Sequence, residues 1–330
     1  MASPNPLLVV ELQGPDGSSA KIHAQGATLT SWITPDGVER LFVSSKAKYQ
    51  AGSAIRGGVP ICWPQFAMRG PLTQQHGFAR TSTWTLASCE TASVVFSLDE
   101  TSAALPADWT AAFHLEMEVR LGHKTMTQEL RVTNRGDSNL TFTTALHTYL
   151  AVRDIRAAGV RGLRALQYQD NTRPGQALTE EEEVVVIQAE FTCPLLQALS
   201  WTIPTPPAGS PCGPSGLLVH MLSRAVWPSK LPITLPTNPS PCQVDRLYVQ
   251  APDRLVLEDG ADGRRTLTLA KQGFPDVVVW NPDGAKASGM ADLSDWHGFL
   301  CIEVAHAARD PVVLKPGETW AGRQVLGAEG

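Results

Sequence analysis

The stretch His114-Leu115-Glu116-Met117-Glu118-Val119-Arg120-Leu121 alternates between polar and apolar side chains at every step. Side chains of a β-strand point to opposite faces in turn, so this pattern predicts a half-buried strand. Residues 265–269, Arg-Thr-Leu-Thr-Leu, alternate in the same way. Both stretches therefore predict sheets with one apolar face and one polar face.

Short runs rich in Val, Leu, Ile and Thr continue this pattern outward in both directions. They lie at residues 7–12, 27–33, 94–98, 128–133, 140–146, 184–189, 255–257, 277–280 and 300–304. Turn-forming pairs such as Asp16-Gly17, Asp262-Gly263 and Pro316-Gly317 separate them. No long segment has a capped helical period. Many short strands joined by close turns predict an all-β sandwich or barrel with few short helices.

One region departs from the strand pattern. Eleven of the 25 prolines lie within residues 193–242, and proline removes a donor from the hydrogen-bond ladder of a sheet. Inside it, residues 217–222 could form a short strand or a helix. We predict a single domain over residues 1–330, with a proline-rich surface insertion at about 193–242.

Composition and charge narrow the class of protein. The net charge of -5 disfavours a non-specific nucleic-acid or anionic-membrane binder. No apolar run approaches the roughly 20 residues that span a bilayer, and the N-terminal MASPNPLLVVEL has no basic segment typical of a signal peptide. The six cysteines form no CxxC pair, which favours free thiols. We therefore expect a cytoplasmic protein, monomeric and without nucleic-acid or membrane partners.

The densest group of glycine and proline lies at residues 55–84, which read IRGGVPICWPQF and then QQHGFARTSTW after a short loop. Prolines stiffen this loop, and we expect Arg56 and Gln65 to project from it. Gln75, His76 and Arg80 follow. Such donors and acceptors suit sugar hydroxyls and a phosphate. The alternative, a crossover with ordinary surface arginines, is equally compatible with the pattern.

Two further residues could carry acid–base chemistry. His147 ends an alternating strand in TALHTYL, where a general acid or base could be held rigidly. The alternative is a structural histidine in the core or at the surface, whose ring nitrogens are satisfied by hydrogen bonds. Glu303 interrupts the apolar strand LCIEV, and a buried acid is costly unless it is paired or functional. Glu303 and His306 form an E-x-x-H spacing, but in a strand this spacing does not predict a metal site.

The order of these blocks resembles the hexose-6-phosphate mutarotase branch of the aldose 1-epimerases, also called glucose-6-phosphate 1-epimerases. The resemblance rests on seven blocks in the family's order: IRGGVPICWPQF (55–66), QHGFAR with Trp84, LHTYLAVRDI (146–155), GVRGL with YQD (159–170), VDRLY (244–248), VVVWNP (277–282) and CIE (301–303). One departure is Val304-Ala305 after Glu303, where the family usually has Pro-Gly. The resemblance implies a galactose-mutarotase-like β-sandwich with the sugar in an open groove.

The resemblance also implies roles for individual residues. His147 would protonate the ring oxygen, and Glu303 would remove the proton of the C1 hydroxyl. His76 and Asp245 would hold ring hydroxyls, with Gln75 beside them. Arg56 and Arg80 would bind the phosphate of a hexose 6-phosphate, glucose 6-phosphate first among them.

This chemistry requires neither a metal nor another cofactor, because opening a hemiacetal needs only one proton lost and one gained. Two alternatives remain open at this point. A non-catalytic sugar-binding protein on the same scaffold would have no need of both His147 and Glu303. An epimerase of free sugars would have no need of Arg56 and Arg80.

Overall fold

A computed structural model of the chain describes residues 5–103, 105–107, 109–186, 243–260 and 265–329. In chain order its strands are β1 (Val9–Gln13), β2 (Ser19–His23), β3 (Thr28–Ile33), β4 (Ile61–Cys62), β5 (Thr85–Cys89), β6 (Ser93–Asp99), β7 (Phe113–Gly122), β8 (Thr125–Asn134), β9 (Leu140–Phe142), β10 (Thr144–Leu146), β11 (Tyr149–Ala151), β12 (Ala158–Arg161), β13 (Gln167–Asp170), β14 (Ala177–Thr179), β15 (Val184–Val186), β16 (Val244–Tyr248), β17 (Arg254–Asp259), β18 (Arg265–Gln272), β19 (Asp276–Asn281), β20 (Phe299–His306), β21 (Val312–Leu314) and β22 (Thr319–Glu329).

Helices in the described residues are few and short. One α-helix, α1, spans Asp283–Ser288, and 3-10 helices span Ala79–Thr81, Ile155–Ala157 and Trp296–Gly298. None of these helices is long and apolar enough to cross a membrane. The predicted all-β class with few short helices is confirmed.

Two large antiparallel sheets form the body of the fold. One has the strand order β15-β12-β17-β18-β22-β8-β7-β6-β5, and the other has the order β14-β13-β16-β19-β20-β10-β4 with β11 also paired to β20. Smaller sheets join β1-β2-β3 and β21-β9. Adjacent strands are antiparallel throughout the described pairs, with β7 and β8 in register over ten residue pairs.

The large sheets pack face to face, as predicted for a sandwich. The alternating stretch at residues 114–121 lies in β7, and its apolar side chains are buried while the polar ones are more exposed. Met117 of β7 belongs to one apolar cluster with Val279 of β19 and Ile302 of β20. Burying each such side chain contributes about 1.5–3 kcal/mol. The core therefore lies between the two sheets.

The predicted run at residues 140–146 is two strands rather than one. β9 pairs with β21, whereas β10 pairs with β20 and β4. Between them, the Thr143 N–H donates to the Pro64 carbonyl at 3.1 Å and its hydroxyl donates to the Arg69 carbonyl at 2.8 Å. The chain changes sheets at this residue because its backbone is tied to the neighbouring loop instead of to a strand.

The proline-rich insertion at about 193–242, the Asp262-Gly263 turn and the end of the run at 184–189 lie outside the described residues. The strand pattern also missed β22, the C-terminal strand TWAGRQVLGAE, in which two glycines interrupt the alternation. In the structure β22 pairs with β8 on one side and β18 on the other. Long-range pairing with two neighbours determines this strand more strongly than its own side chains do.

Candidate active site

The candidate site lies on the outer face of the eight-stranded sheet, away from the core between the sheets. On β20, Ile302 and Val304 point into that core, whereas Cys301 belongs to a second apolar cluster on the opposite face. Glu303 has the same parity as Cys301, so its side chain points to the outer face as well. A pocket of about 300 Å³ opens there.

The seven residues to which the resemblance assigns roles all line this pocket. They are Arg56, Gln75, His76, Arg80, His147, Asp245 and Glu303. The pocket wall also contains residues that the sequence reasoning did not single out: Phe66, Ala67, Asn171, Val278, Trp280, Lys286 and Met290. Four separate segments of the chain thus contribute the predicted polar side chains to one cavity.

His147 and Glu303 form a close buried pair at the base of the pocket. The Nδ1 atom of His147 lies 3.5 Å from Oε1 of Glu303, and the residues are 7% and 1% exposed. Within the described part of the chain, neither His147 Nδ1 nor Glu303 Oε2 has a hydrogen-bond partner. Since Nδ1 is buried against Glu303, Nε2 is the histidine nitrogen left to face the pocket.

The two members of this pair have pKa values displaced in opposite directions. Burial raises the pKa of Glu303 well above its usual range, helped by the charge of Asp245 and opposed by Arg80. Burial lowers the pKa of His147 well below 6.5, and the nearby His76, Arg80 and Arg56 lower it further. Both displacements favour the uncharged form of each side chain in the empty pocket, with the proton of the pair on Glu303.

The backbone around His147 is anchored on both sides. Its N–H donates to the Pro60 carbonyl of the glycine–proline loop at 2.9 Å. The hydroxyl of Thr148, the next residue, donates to the side-chain oxygen of Gln324 on β22 at 3.1 Å inside the core. These bonds link both sheets to the position of the imidazole, so the sandwich itself orients His147.

His76 is held as a neutral hydrogen-bond donor. The Ala67 N–H donates to its Nδ1 at 3.1 Å, which leaves Nε2 to carry the proton of the neutral ring. Burial, with the charges of Arg80 and Arg56, lowers the pKa of His76 to about 3. A neutral Nε2–H at the pocket wall suits a hydroxyl or carbonyl oxygen.

The expectation that Gln65 projects from the loop is wrong. Gln65 is fully buried, its amide donates to the Leu72 carbonyl at 2.9 Å, and its oxygen accepts from the Leu72 N–H at 2.9 Å. Its neighbour Trp63 is also fully buried and packs against Phe113 with ring centroids 4.6 Å apart. These residues brace the loop that carries the site instead of forming it.

Gly77, next to His76, is expected to be essential for the shape of this loop. Its φ is +66°, and a Cβ there would lie 2.2 Å from the Trp63 carbonyl oxygen. Gly77→Ala should therefore lower the free energy of unfolding by more than the ~1–2 kcal/mol cost of a left-handed residue. Gly175→Ala is the matched control, since its φ is +89° and nothing lies within 4 Å. Equal losses for both variants in urea denaturation would contradict the crowding at Gly77.

The two arginines reach the pocket from opposite ends of the loop. Arg56 donates from Nε to Asp292 and from a terminal nitrogen to the Tyr149 hydroxyl, both at 3.2 Å. The Tyr149 ring in turn stacks on His147, with centroids 4.7 Å apart and planes 10° from parallel. Arg80 donates to the Gln75 carbonyl at 2.9 Å, and its Nε is buried without a hydrogen-bond partner among the residues that the structure describes.

Asp245 on β16 is oriented by two residues that the motifs did not identify. The Asn171 amide donates to its Oδ1 at 2.7 Å, and Lys286 of α1 lies 3.6 Å from its Oδ2. Asp245 is directly opposite Trp280 in the β16–β19 pair, so the carboxylate and the indole flank each other at the pocket. Asn171 directly follows the YQD block, which was the available sequence signal; Lys286 had none.

The E-x-x-H spacing does not bring its two residues together. His306 lines a different pocket, with Asp276 and Arg309 among its neighbours, and its Nε2 lies 3.1 Å from the Asp310 carbonyl oxygen. Residues three apart on a strand point to opposite faces. This spacing therefore forms no shared ligand set.

Comparison with known proteins adds independent information. The family model for aldose 1-epimerase matches residues 8–194 and 214–327. A Cenchrus ciliaris protein provisionally named glucose-6-phosphate 1-epimerase is 32% identical, with 99% of this chain and 86% of that protein covered. An Escherichia coli protein with the same provisional name is 29% identical, with 90% and 82% covered.

Solved structures agree with the fold. A Salmonella typhimurium protein described provisionally as a mutarotase matches with a TM-score of 0.71 at 22% identity, covering 97% of this chain and 90% of that one. A galactose mutarotase related enzyme from Lactobacillus acidophilus matches with a TM-score of 0.68 at 10% identity, covering 98% of each chain. The expected galactose-mutarotase-like sandwich is confirmed.

Proposed function

We propose, from the premise that this chain belongs to the aldose 1-epimerase family, that it interconverts the α and β anomers of a hexose 6-phosphate. Glucose 6-phosphate is the substrate we favour, as in the names of the Cenchrus and Escherichia relatives. The observation that carries the proposal is the buried His147–Glu303 pair, 3.5 Å apart, at the base of a pocket that also contains Arg56 and Arg80.

The proton shared by the pair defines the first chemical step. Transfer of that proton from Glu303 to His147 across the 3.5 Å contact produces a carboxylate base beside an imidazolium acid. Glu303 then takes the proton of the C1 hydroxyl while the C1–O5 bond breaks, and His147 gives its proton to O5. The product is the open-chain aldehyde, with the pair again neutral and the proton on Glu303.

Reclosure reverses these roles after the aldehyde turns about the C1–C2 bond. His147 takes the proton from the O5 hydroxyl, O5 attacks C1 from the other face, and Glu303 protonates the former carbonyl oxygen. No proton or electron is consumed over the cycle. Each proton-transfer partner contributes ~10²–10⁴-fold in rate.

The remaining wall residues would hold the sugar in this position. His76 and Asp245, with Gln75 beside them, offer donors and acceptors for ring hydroxyls. Trp280 presents an indole to the cavity, against which the C–H face of a pyranose can pack. Arg56 and Arg80 supply charge-assisted donors for the phosphate.

The cellular setting is proposed from one exposed thiol and from the composition of the chain. Cys89 is an exposed free thiol in the described part of the chain, which supports a reducing compartment, and we place the protein in the cytoplasm. The net charge of -5 supports the absence of nucleic-acid partners. We further propose that the chain is monomeric, with residues 1–330 forming one domain that carries the proline-rich insertion.

The test is anomer exchange measured by NMR on glucose 6-phosphate, mannose 6-phosphate, galactose 6-phosphate and glucose at equal concentrations. Acceleration of at least one hexose 6-phosphate well beyond that of glucose is expected. Equal acceleration of glucose would favour an epimerase of free sugars, since the same acid–base pair would serve it. Binding without acceleration of any sugar would favour a non-catalytic sugar-binding protein.

A further inference from the structure

Cys301 lies beside the acid–base pair and has no part in the proposed epimerisation. It is two residues before Glu303 on β20, so both side chains point to the same face, and it is fully buried. One nitrogen of His147, the Cys301 sulfur and one oxygen of Glu303 lie within 4.8 Å of one another. We infer that His147, Cys301 and Glu303 form an inhibitory binding site for a thiophilic divalent cation such as Zn²⁺.

The donor set matches the ligands that zinc takes in proteins. Zinc binds thiolate, imidazole and carboxylate at ~2.0–2.3 Å in a tetrahedron, which places ligand atoms about 3.3–3.7 Å apart. The 3.5 Å between His147 Nδ1 and Glu303 Oε1 already falls in this range. The widest of the three separations, at most 4.8 Å, needs to shorten by only about 1 Å.

The pair itself lacks the partners that a buried polar group normally has. His147 Nδ1 and Glu303 Oε2 are the unpartnered buried atoms of the pair in the described structure, and an unsatisfied buried polar atom is costly. A dication held by His147 Nδ1 and one Glu303 oxygen would give this nitrogen a partner, with the protons of the Cys301 thiol and the Glu303 carboxyl released on binding. The fourth tetrahedral position would face the pocket and hold water.

Binding would block the chemistry directly. The metal would occupy the carboxylate lone pair with which Glu303 takes the C1 hydroxyl proton. The inhibitory effect therefore rests on the proposed function, in which Glu303 is the base. Metal binding itself does not depend on it. Two separate readouts are therefore needed, one for the metal and one for the rate.

Cobalt absorption measures the metal independently of activity. The parent for this test is the full chain with Cys89, Cys193, Cys212 and Cys242 changed to Ser, which retains Cys62 and Cys301. Co²⁺ should produce a thiolate-to-cobalt charge-transfer band in the parent and in Cys62→Ala, another fully buried cysteine on the same face. The band should be absent in Cys301→Ala and in Cys301→Ser, which covers the case in which one of them does not fold. A persistent band in these variants, or no band in the parent, would overturn the inference.

Zinc inhibition is then measured on the same proteins, each relative to its own metal-free rate. Zn²⁺ should inhibit the parent reversibly, with recovery on adding EDTA. The Zn²⁺ concentration for half-inhibition should rise at least about tenfold in the Cys301 variants, because removing a residue that only supports a metal ligand already costs about tenfold or more. It should be unchanged in Cys62→Ala. Equal sensitivity of all variants would refute the site. A chain that accelerates no sugar would refute the proposed function, while the cobalt result would still decide the metal site.

Discussion

Glu303→Gln is expected to reduce catalysed anomer exchange by ~10²–10⁴-fold, the contribution typical of a general base, in a protein that remains folded. Glutamine has nearly the shape of the protonated acid, and Oε2 of Glu303 has no hydrogen-bond partner to lose in the described structure. The amide cannot accept the C1 hydroxyl proton. NMR exchange rates on glucose 6-phosphate, with circular dichroism for folding, measure this result.

The matched control is Glu129→Gln, which changes a buried acid far from the pocket. Glu129 is 8% exposed on β8 of the nine-stranded sheet, where it pairs with Arg131 and Arg323. This variant should retain the exchange rate even if its stability falls. His147→Ala should lose activity as Glu303→Gln does. A wild-type rate in both pocket variants would disprove the acid–base assignment.

Arg56→Ala is expected to reduce kcat/KM for glucose 6-phosphate by about 10–150-fold, the equivalent of a charge-assisted hydrogen bond of about 1.5–3 kcal/mol. The loss for glucose should be much smaller, because glucose has no phosphate. The ratio of the two losses is the informative quantity, since Arg56 also donates to Tyr149, which stacks on His147. Any effect that Arg56 exerts through the stacked Tyr149 and His147 rings would lower kcat/KM for both sugars alike.

Arg164→Ala is the control for a general loss of positive charge. Its side chain is 63% exposed and pairs with Glu183 outside the pocket. This variant should leave the ratio of kcat/KM for glucose 6-phosphate to kcat/KM for glucose unchanged. If Arg56→Ala lowered kcat/KM equally for glucose 6-phosphate and for glucose, Arg56 would not bind the phosphate. An epimerase of free sugars would then become the better proposal.

Strand periodicity predicted the fold class because it depends on local geometry alone. In β7, side chains of alternate residues face the core, and the structure confirms each of them. The same reasoning failed at residues 140–146, where one apolar run serves two sheets. It also failed for β22, whose two neighbours determine its pairing. Periodicity indicates which face a side chain occupies but contains no information about which strands are adjacent.

Motif resemblance identified seven of the polar residues that line the pocket but not the residues that support them. Asn171 and Lys286 orient Asp245, and Gln65 braces the loop from inside. Each of these contacts joins segments that are separated in the sequence or folded back on themselves. A linear pattern could not distinguish the buried Gln65 from the pocket residue Gln75, since both lie in the same loop rich in glycine and proline.

The sequence by itself determined that this protein is an antiparallel β-sandwich and that an acid, a base and two arginines are present in the family's order. Only the tertiary structure decided that His147 and Glu303 lie 3.5 Å apart, with Cys301 beside them. It also decided that His147 Nδ1 and Glu303 Oε2 have no hydrogen-bond partner among the described residues. The physical reason is that β10, β11 and β20 meet through long-range pairing. Burial at that junction raises the pKa of Glu303 and lowers that of His147, and burial is a property of the packed sheets rather than of any one strand.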